Sequence, residues 1–317
     1  MSIAFGHLEL PIRESVMEKL ILQNRLSPGD CLIMTVAIRD LHKTFPGEFQ
    51  TDVRSPCAEV FENNPYLTHL NKAESKEIDM QYPLIHRSGL TGKHFTDGYR
   101  EFLSEQISRK IESHGMRPEI HLTQDERLWP SPVVLEHGLK APYWIINAGV
   151  KSDYTLKQYP YWQEVVNLLK DELTFVQVGH ESHSHPPLEG VIDMRGKTSL
   201  RQLFRLSYHA EGAFCAVSLQ MVIMSAFSKP CVVINGGREG IRWQLNPDHR
   251  FLSTHGALPC CRYDGCWKSK FEECETLEHD GDRLVPKCMS LITPEDVARA
   301  ALMYYRGGIL KREAVNV

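Results

Sequence analysis

The sequence predicts an α/β protein with parallel sheets covered by helices, and three observations lead to this class. Strand-like apolar runs alternate with helical patterns over most of the 317 residues, and such alternation is typical of parallel sheets. The pattern starts again near residue 142, after a polar, proline-containing passage at 123–132. A chain of 317 residues is also long for a single core. We therefore expect two domains, with a boundary between residues 140 and 141.

In the first half, the run 31–37 is predicted to be a buried strand, continued by a helix at 38–43. A second strand is predicted at 49–54, because it follows the turn signal Pro46-Gly47. Apolar residues recur at helical spacing over 94–111, which predicts a helix there.

The second half repeats the alternation more regularly. Its predicted strands are 143–149, 175–179, 213–217 and 230–235. Its predicted helices are 162–169, 199–206, 220–227 and 293–305. The last of these has a threonine at the N-cap, a proline at the first helical position and acids in the first turn, which is a strong helix start.

Composition narrows the class of partners and the compartment. The formal net charge is −4 and the pI is near 6.4, so the chain as a whole does not attract nucleic acid or an anionic membrane. No apolar stretch approaches the ~20 residues that span a bilayer. The N-terminal residues lack the basic and apolar regions of a signal peptide. We therefore expect a cytoplasmic protein with no membrane span and no nucleic acid partner.

Five of the nine cysteines are concentrated near the end of the chain, and they fall within 29 residues. They are Cys260, Cys261, Cys266, Cys274 and Cys288. Such a cluster is either a set of disulfides or a soft-metal site built from thiolates. A reducing compartment favours the metal, and four thiolates can hold zinc or a single iron ion tetrahedrally. Cys260 and Cys261 then compete for one ligand position, and a set of free or buried thiols remains the alternative.

Three further segments carry residues suited to group transfer. Gly29-Asp30 stands at the start of the first predicted strand, where Asp30 is either a general base or an ordinary turn residue. Lys151 and Lys157 follow a predicted strand, where ligands bind in open α/β sheets. The segment 235–239 follows another strand, and its glycines allow the backbone to approach a ligand closely.

In order and spacing, these segments resemble those of the family 9 glycosyltransferases, the heptosyltransferase group. The segments 196–203, 229–239 and 255–269 carry much of the likeness, which runs from about residue 26 to residue 305. The closer resemblance is to the bacterial autotransporter heptosyltransferase branch, whose members carry cysteine-bound iron.

The resemblance implies the GT-B architecture, in which two Rossmann-like domains face a cleft. The first domain (1–140) would lie on the acceptor side. The second (141–292) would bind the donor and carry the cysteine-rich, metal-binding segment 258–289. The final helix (293–317) would return to the N-terminal domain.

The resemblance also implies the transfer of a sugar from a nucleotide-diphosphate donor, typically ADP-heptose, with no catalytic divalent metal. Asp30 matches the position of the catalytic base, and Lys157 matches the lysine that meets the donor diphosphate. The other positions implied to hold the donor are Ser218, Gly236, Gly237, Arg238 and Glu239. Iron or zinc bound by the cysteines would be structural.

One position departs from the family pattern. Val222 stands where the family usually has a histidine that faces the donor, and Val217 stands where many members have an aspartate. The leading hypothesis is an inverting glycosyltransferase acting on a protein or saccharide acceptor. Two other hypotheses remain, a non-catalytic, metal-stapled binding or assembly protein that retains the fold and a sugar-nucleotide epimerase. The oligomeric state is left open, a homo-oligomer included.

Overall fold

Two parallel sheets form the frame of the computed structural model, which describes residues 17–82, 85, 91–128, 137–138 and 142–305. The first sheet consists of β1 (Glu18–Gln23), β2 (Phe49–Arg54) and β3 (Lys76–Asp79), in the order β2-β1-β3. The helices of this half are α1 (Pro28–Thr44), α2 (Phe95–Gln106) and α3 (Gln124–Leu128).

The second sheet has six parallel strands in the order β6-β5-β4-β7-β8-β9. They are β4 (Tyr143–Asn147), β5 (Thr174–Gln177), β6 (Ile192–Asp193), β7 (Gly212–Ala216), β8 (Cys231–Gly236) and β9 (His249–Ser253). The helices between them are α4 (Trp162–Leu169), α5 (Leu200–His209), α6 (Leu219–Ala226) and α7 (Ile241–Gln244). An antiparallel hairpin, β10 (Leu277–Asp280) and β11 (Arg283–Pro286), leads into α8 (Lys287–Ser290) and α9 (Pro294–Tyr305).

The α/β class with parallel sheets is confirmed, and most predicted elements of the second half lie within a few residues of those observed. Local chemistry explains this agreement. In α5, the Ser199 side chain accepts from the Gln202 backbone amide while the Gln202 side chain reaches back to the N-cap, a complete capping box. In α9, the Asp296 amide donates to the Thr293 hydroxyl over 3.2 Å. Strands β1, β3, β6, β9, β10 and β11 are not predicted from the sequence.

The predicted strand at 31–37 is wrong, because these residues form the middle of α1. Every residue from Cys31 to Leu41 is buried, so the helix shows no apolar stripe and its periodicity resembles that of a buried strand. Pro28 in the first turn is the signal that identifies the helix start. Asp30 therefore lies in the first turn of a helix rather than at the start of a strand.

The C-terminal helix α9 is described only as far as Tyr305. The described part of α9 packs on α4 and β8 of the second half, where Val297 and Ala301 are fully buried. Residues 306–317 lie outside the described residues, so the expected return of the segment 293–317 to the N-terminal domain stays a prediction. The expected boundary at 140/141 also touches residues that are not described, so it stays a prediction. Among the described helices, none is long and apolar enough to cross a membrane.

Helices α1 and α6 pack against each other and join the two halves. Each helix follows the carboxyl end of a strand, β1 for α1 and β7 for α6. Gly29 makes the approach close, since a Cβ built on it would lie 3.5 Å from the Leu219 Cα. The carboxyl ends of parallel strands are where ligands bind in open α/β sheets, so this junction is the place to look for a site.

Candidate functional site

Asp30 lies at the junction of the two halves, half-buried in the first turn of α1. On the opposite side, Lys151 Nζ donates to the Ser27 hydroxyl over 2.6 Å, directly beside the start of α1. Burial raises the pKa of the Asp30 carboxyl, and the nearby positive charges of Lys157 and Lys151 partly oppose this. A carboxylate with a raised pKa is a stronger proton acceptor, which suits a general base.

Lys157 and Glu239 form the charged centre of the second half. Lys157 Nζ lies 2.8 Å from Glu239 Oε1 and also donates to the Val217 carbonyl over 3.3 Å. Burial lowers the pKa of Lys157. Burial also opposes ionisation of Glu239, but Lys157 and Arg238 outweigh it and the pKa of the carboxyl lies below its usual value. Gln244 Nε2 donates to the other carboxylate oxygen over 2.7 Å.

Arg238 is buried and lies behind Glu239. Its Nη1 pairs with Glu239, its Nε donates to the Lys268 carbonyl over 2.6 Å, and its Nη2 reaches the Ser269 hydroxyl at 3.4 Å. Each of the three guanidinium nitrogens therefore has one protein partner. These contacts suit a residue that orients Glu239, and direct donor contact by Arg238 stays a prediction.

The two glycines at the end of β8 meet the cysteine-rich segment. A Cβ on Gly236 would lie 2.9 Å from the Met289 sulfur, and one on Gly237 would lie 2.7 Å from the Cys261 sulfur. Gly236 also has a φ of +60°, which favours glycine. Within the described residues, these glycines serve close packing against that segment. The expected approach of their backbone to a ligand stays a prediction.

Ser218 is the N-cap residue of α6 and faces the junction with α1. Its buried hydroxyl oxygen has no hydrogen-bond partner among the described residues. A helix N-terminus with free amides attracts anions, so Ser218 and α6 are well placed for a phosphate group. The family histidine position, Val222, is instead a buried apolar residue of the core.

The five clustered cysteines surround one cavity of about 20 Å³, which also touches Gly237. No cysteine of the described residues is in a disulfide. Within the same part of the chain, no group of three or more His, Cys, Asp or Glu side chains is arranged as a metal site. Cys261 is buried and donates to backbone carbonyls, whereas Cys260 contacts the Thr276 hydroxyl at 3.7 Å. The five predicted ligands therefore line one cavity, but the described side chains are not arranged around a common metal position.

Sequence reasoning missed two aromatic residues of this region. The Arg238 guanidinium carbon lies 5.2 Å from the ring centroid of Tyr154 and 5.6 Å from that of Trp267. Their positions in the sequence could have identified them, because Tyr154 lies between Lys151 and Lys157 and Trp267 directly follows Cys266.

Comparison with known proteins shows the fold. No family model matches the chain, and no curated protein matches it by sequence. Among solved structures, the glycosyl transferase family 9 protein from Veillonella parvula DSM 2008 aligns with a TM-score of 0.64 at 14% identity, over 92% of this chain and 98% of that one. The iron-containing dodecameric glycosyltransferase TibC from enterotoxigenic E. coli H10407 aligns with a TM-score of 0.63 at 17% identity, over 92% and 76%.

The ADP-heptose LPS heptosyltransferase II of E. coli aligns with a TM-score of 0.62 at 14% identity, over 91% of this chain and 98% of that one. The protein thus has the fold of family 9 glycosyltransferases, and the resemblance stated from the sequence is confirmed at the level of the fold.

Proposed function

We propose that the protein is an inverting glycosyltransferase that moves a sugar from a nucleotide-diphosphate donor to an acceptor hydroxyl. The observation that carries the proposal is the position of Asp30 in the first turn of α1, beside Ser27, whose hydroxyl accepts a hydrogen bond from Lys151 of the other half. The positive charges of Lys157 and Lys151 act on the Asp30 carboxyl. A proton acceptor and a set of cations on opposite sides of one site suit displacement of a diphosphate by a hydroxyl.

In the proposed reaction, Asp30 takes the proton of the acceptor hydroxyl as its oxygen attacks the anomeric carbon of the donor. The bond between that carbon and the diphosphate oxygen breaks on the opposite face, so the configuration inverts. The leaving diphosphate gains negative charge, which Lys157 and the N-terminus of α6 at Ser218 stabilise. Binding of the donor by Gly236, Gly237, Arg238 and Glu239 is part of the proposal.

Structures of the same fold support ADP-heptose as the donor to test first. TibC has been solved in complex with ADP-D-β-D-heptose, and it aligns with this chain at a TM-score of 0.61. E. coli heptosyltransferase WaaC has been solved with ADP-2-deoxy-2-fluoro heptose and aligns at a TM-score of 0.51. A protein or a saccharide is the proposed acceptor class.

The cysteine-rich segment fits a structural metal by the chemistry of its donors. Five thiols line one small cavity, and thiolates select zinc or iron. Four of Cys260, Cys261, Cys266, Cys274 and Cys288 would hold the ion, and binding would cross-link a segment with little core of its own. The ion has no part in the transfer step, which uses Asp30 and Lys157. TibC is described as iron-containing and dodecameric, so iron and a homo-oligomer are both part of the proposal for this chain.

A second candidate function is a non-catalytic, metal-stapled binding or assembly protein. Val222 favours it, because an apolar core residue replaces the polar group that the family usually presents to the donor. A cytoplasmic location is proposed for either function.

The deciding experiment incubates the protein with ADP-heptose and with UDP- and GDP-sugars, and detects released nucleoside diphosphate and bound nucleotide by mass spectrometry. Wild type should release ADP from ADP-heptose, and Asp30→Ala should release far less while still binding the donor. Equal release by the two proteins would exclude Asp30 as the base. Donor binding without release by either protein would favour the non-catalytic alternative.

A further inference from the structure

Two aromatic residues near Arg238, Tyr154 and Trp267, have no part in the proposed transfer step. Tyr154 lies beside two cations, with its ring centroid 5.4 Å from Lys157 Nζ and 5.2 Å from the Arg238 guanidinium carbon. Trp267 approaches the same guanidinium at 5.6 Å. Cations are attracted to the faces of aromatic rings within about 6 Å of the centroid. The two rings therefore add to the contacts with Glu239, Lys268 and Ser269 that hold the guanidinium.

Trp267 holds an unusual backbone conformation to reach this place. Its φ is +51°, a left-handed value that is rare for a bulky residue. Two backbone bonds fasten the turn to the end of β8, from Cys266 to the Gly237 carbonyl at 3.3 Å and from Trp267 to the Arg238 carbonyl at 3.1 Å. The conformation is therefore imposed by contacts with the loop that follows β8 (residues 237–239).

The charges of Glu239, Lys157 and Arg238 explain why the position of Arg238 matters. Glu239 is one anion shared between two cations, Lys157 at 2.8 Å and Arg238. If Arg238 moved away, the buried carboxylate would be balanced by Lys157 alone, because a buried charge needs a partner. Lys157 would then be held by Glu239 more tightly and would be less available to an incoming phosphate.

We propose that Trp267 and Tyr154 are positioning residues that hold Arg238 on Glu239 and so leave Lys157 free to bind the donor diphosphate. This inference rests on the proposed function, since it assigns the diphosphate to Lys157. It also gives the cysteine-rich segment a direct connection to the donor site, because Trp267 follows Cys266 in the chain.

The test is a calorimetric titration with ADP, and separately with inorganic pyrophosphate, on the purified full chain. Trp267→Ala should weaken both affinities about tenfold, which corresponds to about 1.4 kcal/mol and is within the range of cation–π attraction. Trp267→Phe should retain most of the affinity. Tyr263→Ala is the matched control, because Tyr263 is exposed and pairs with Arg262 in the same segment.

A double-mutant cycle separates positioning from a structural role. In a Lys157→Met background, Trp267→Ala should cause no further loss, because its effect passes through Lys157. Circular dichroism confirms folding, and Tyr154→Leu provides a second variant with the same expected loss. Equal and additive losses in the two backgrounds would overturn the inference, as would unchanged affinity in Trp267→Ala and Tyr154→Leu. A wild type that binds neither probe would instead contradict the proposed function, and the inference would fall with it.

Discussion

Replacing Gly265 by alanine adds a methyl group where the loop after β8 (residues 237–239) leaves no room for it. The new Cβ would lie 2.8 Å from the carbonyl carbon of Arg238 and 3.1 Å from the Glu239 Cα. Carbon atoms pack at about 3.5–4 Å. The turn before Trp267 therefore has to move away from the loop at residues 237–239 by roughly 1 Å.

The cost follows from the contacts that this movement breaks. The amides of Cys266 and Trp267 donate to the carbonyls of Gly237 and Arg238, and a hydrogen bond contributes about 1 kcal/mol on average. Loss of both gives about 2 kcal/mol. Gly265 also has a φ of +88°, so alanine there adds backbone strain of about 1–2 kcal/mol.

Gly256→Ala isolates the steric part of the effect. Gly256 has a φ of +87°, almost the same as Gly265, but a Cβ there would meet no atom within 4 Å. Both variants therefore carry similar backbone strain, and the difference between their Tm values measures the clash of the new Cβ at position 265. Thermal unfolding should give Gly265→Ala a Tm about 4 °C or more below that of Gly256→Ala, at ~2–4 °C per kcal/mol. ADP affinity should fall only in Gly265→Ala. Equal Tm values for the two variants would refute the close packing of the two segments.

Three further predictions concern charge and metal. Asp30→Asn should reduce transfer by ~10²–10⁴-fold, the usual contribution of a general base. Because the pKa of Asp30 is raised in the folded state, its protonated form favours folding, and that stability is lost as pH rises through the folded pKa. Asp30→Asn should thus raise the Tm at pH 7, and the increase should shrink toward pH ~4. Asp171→Asn, at an exposed turn, is the control and should not show this increase. A lower Tm of Asp30→Asn at pH 7 would contradict the prediction. Lys157→Met should weaken ADP binding about 10- to 100-fold, because a hydrogen bond to a charged group contributes ~1.5–3 kcal/mol. Lys197→Met, at an exposed lysine, is the control and should leave ADP binding unchanged. Similar losses in both variants would argue against a specific contact of Lys157 with ADP. Elemental analysis should find about one iron or zinc ion per chain in wild type and less in Cys266→Ser, together with a lower Tm; a folded, metal-free wild type would exclude the structural metal.

The fold was predictable to different degrees in the two halves. In the second half, single polar residues mark the helix starts, as Ser199 and Thr293 do, and the strands between them are short and apolar. In the first half, α1 is buried on all sides, so its apolar run has no helical period. The sequence therefore predicts a strand where the structure has a helix. Only the packing of α1 against α2 and α6 explains why it is buried on all sides, including the polar side chains of Thr35, Arg39 and Asp40.

The same division holds for the site. By itself, the sequence determined the class of the fold, the family resemblance and the residue types available for catalysis and metal binding, because these are local patterns and spacings. The tertiary structure decided which of them meet. It brought Lys151 to Ser27 at the start of α1, joined Lys157 and Arg238 at Glu239, and set Trp267 of the cysteine-rich segment beside Arg238. These are contacts between segments far apart in the chain, and they depend on two sheets meeting at the carboxyl ends of their strands, which no local pattern encodes.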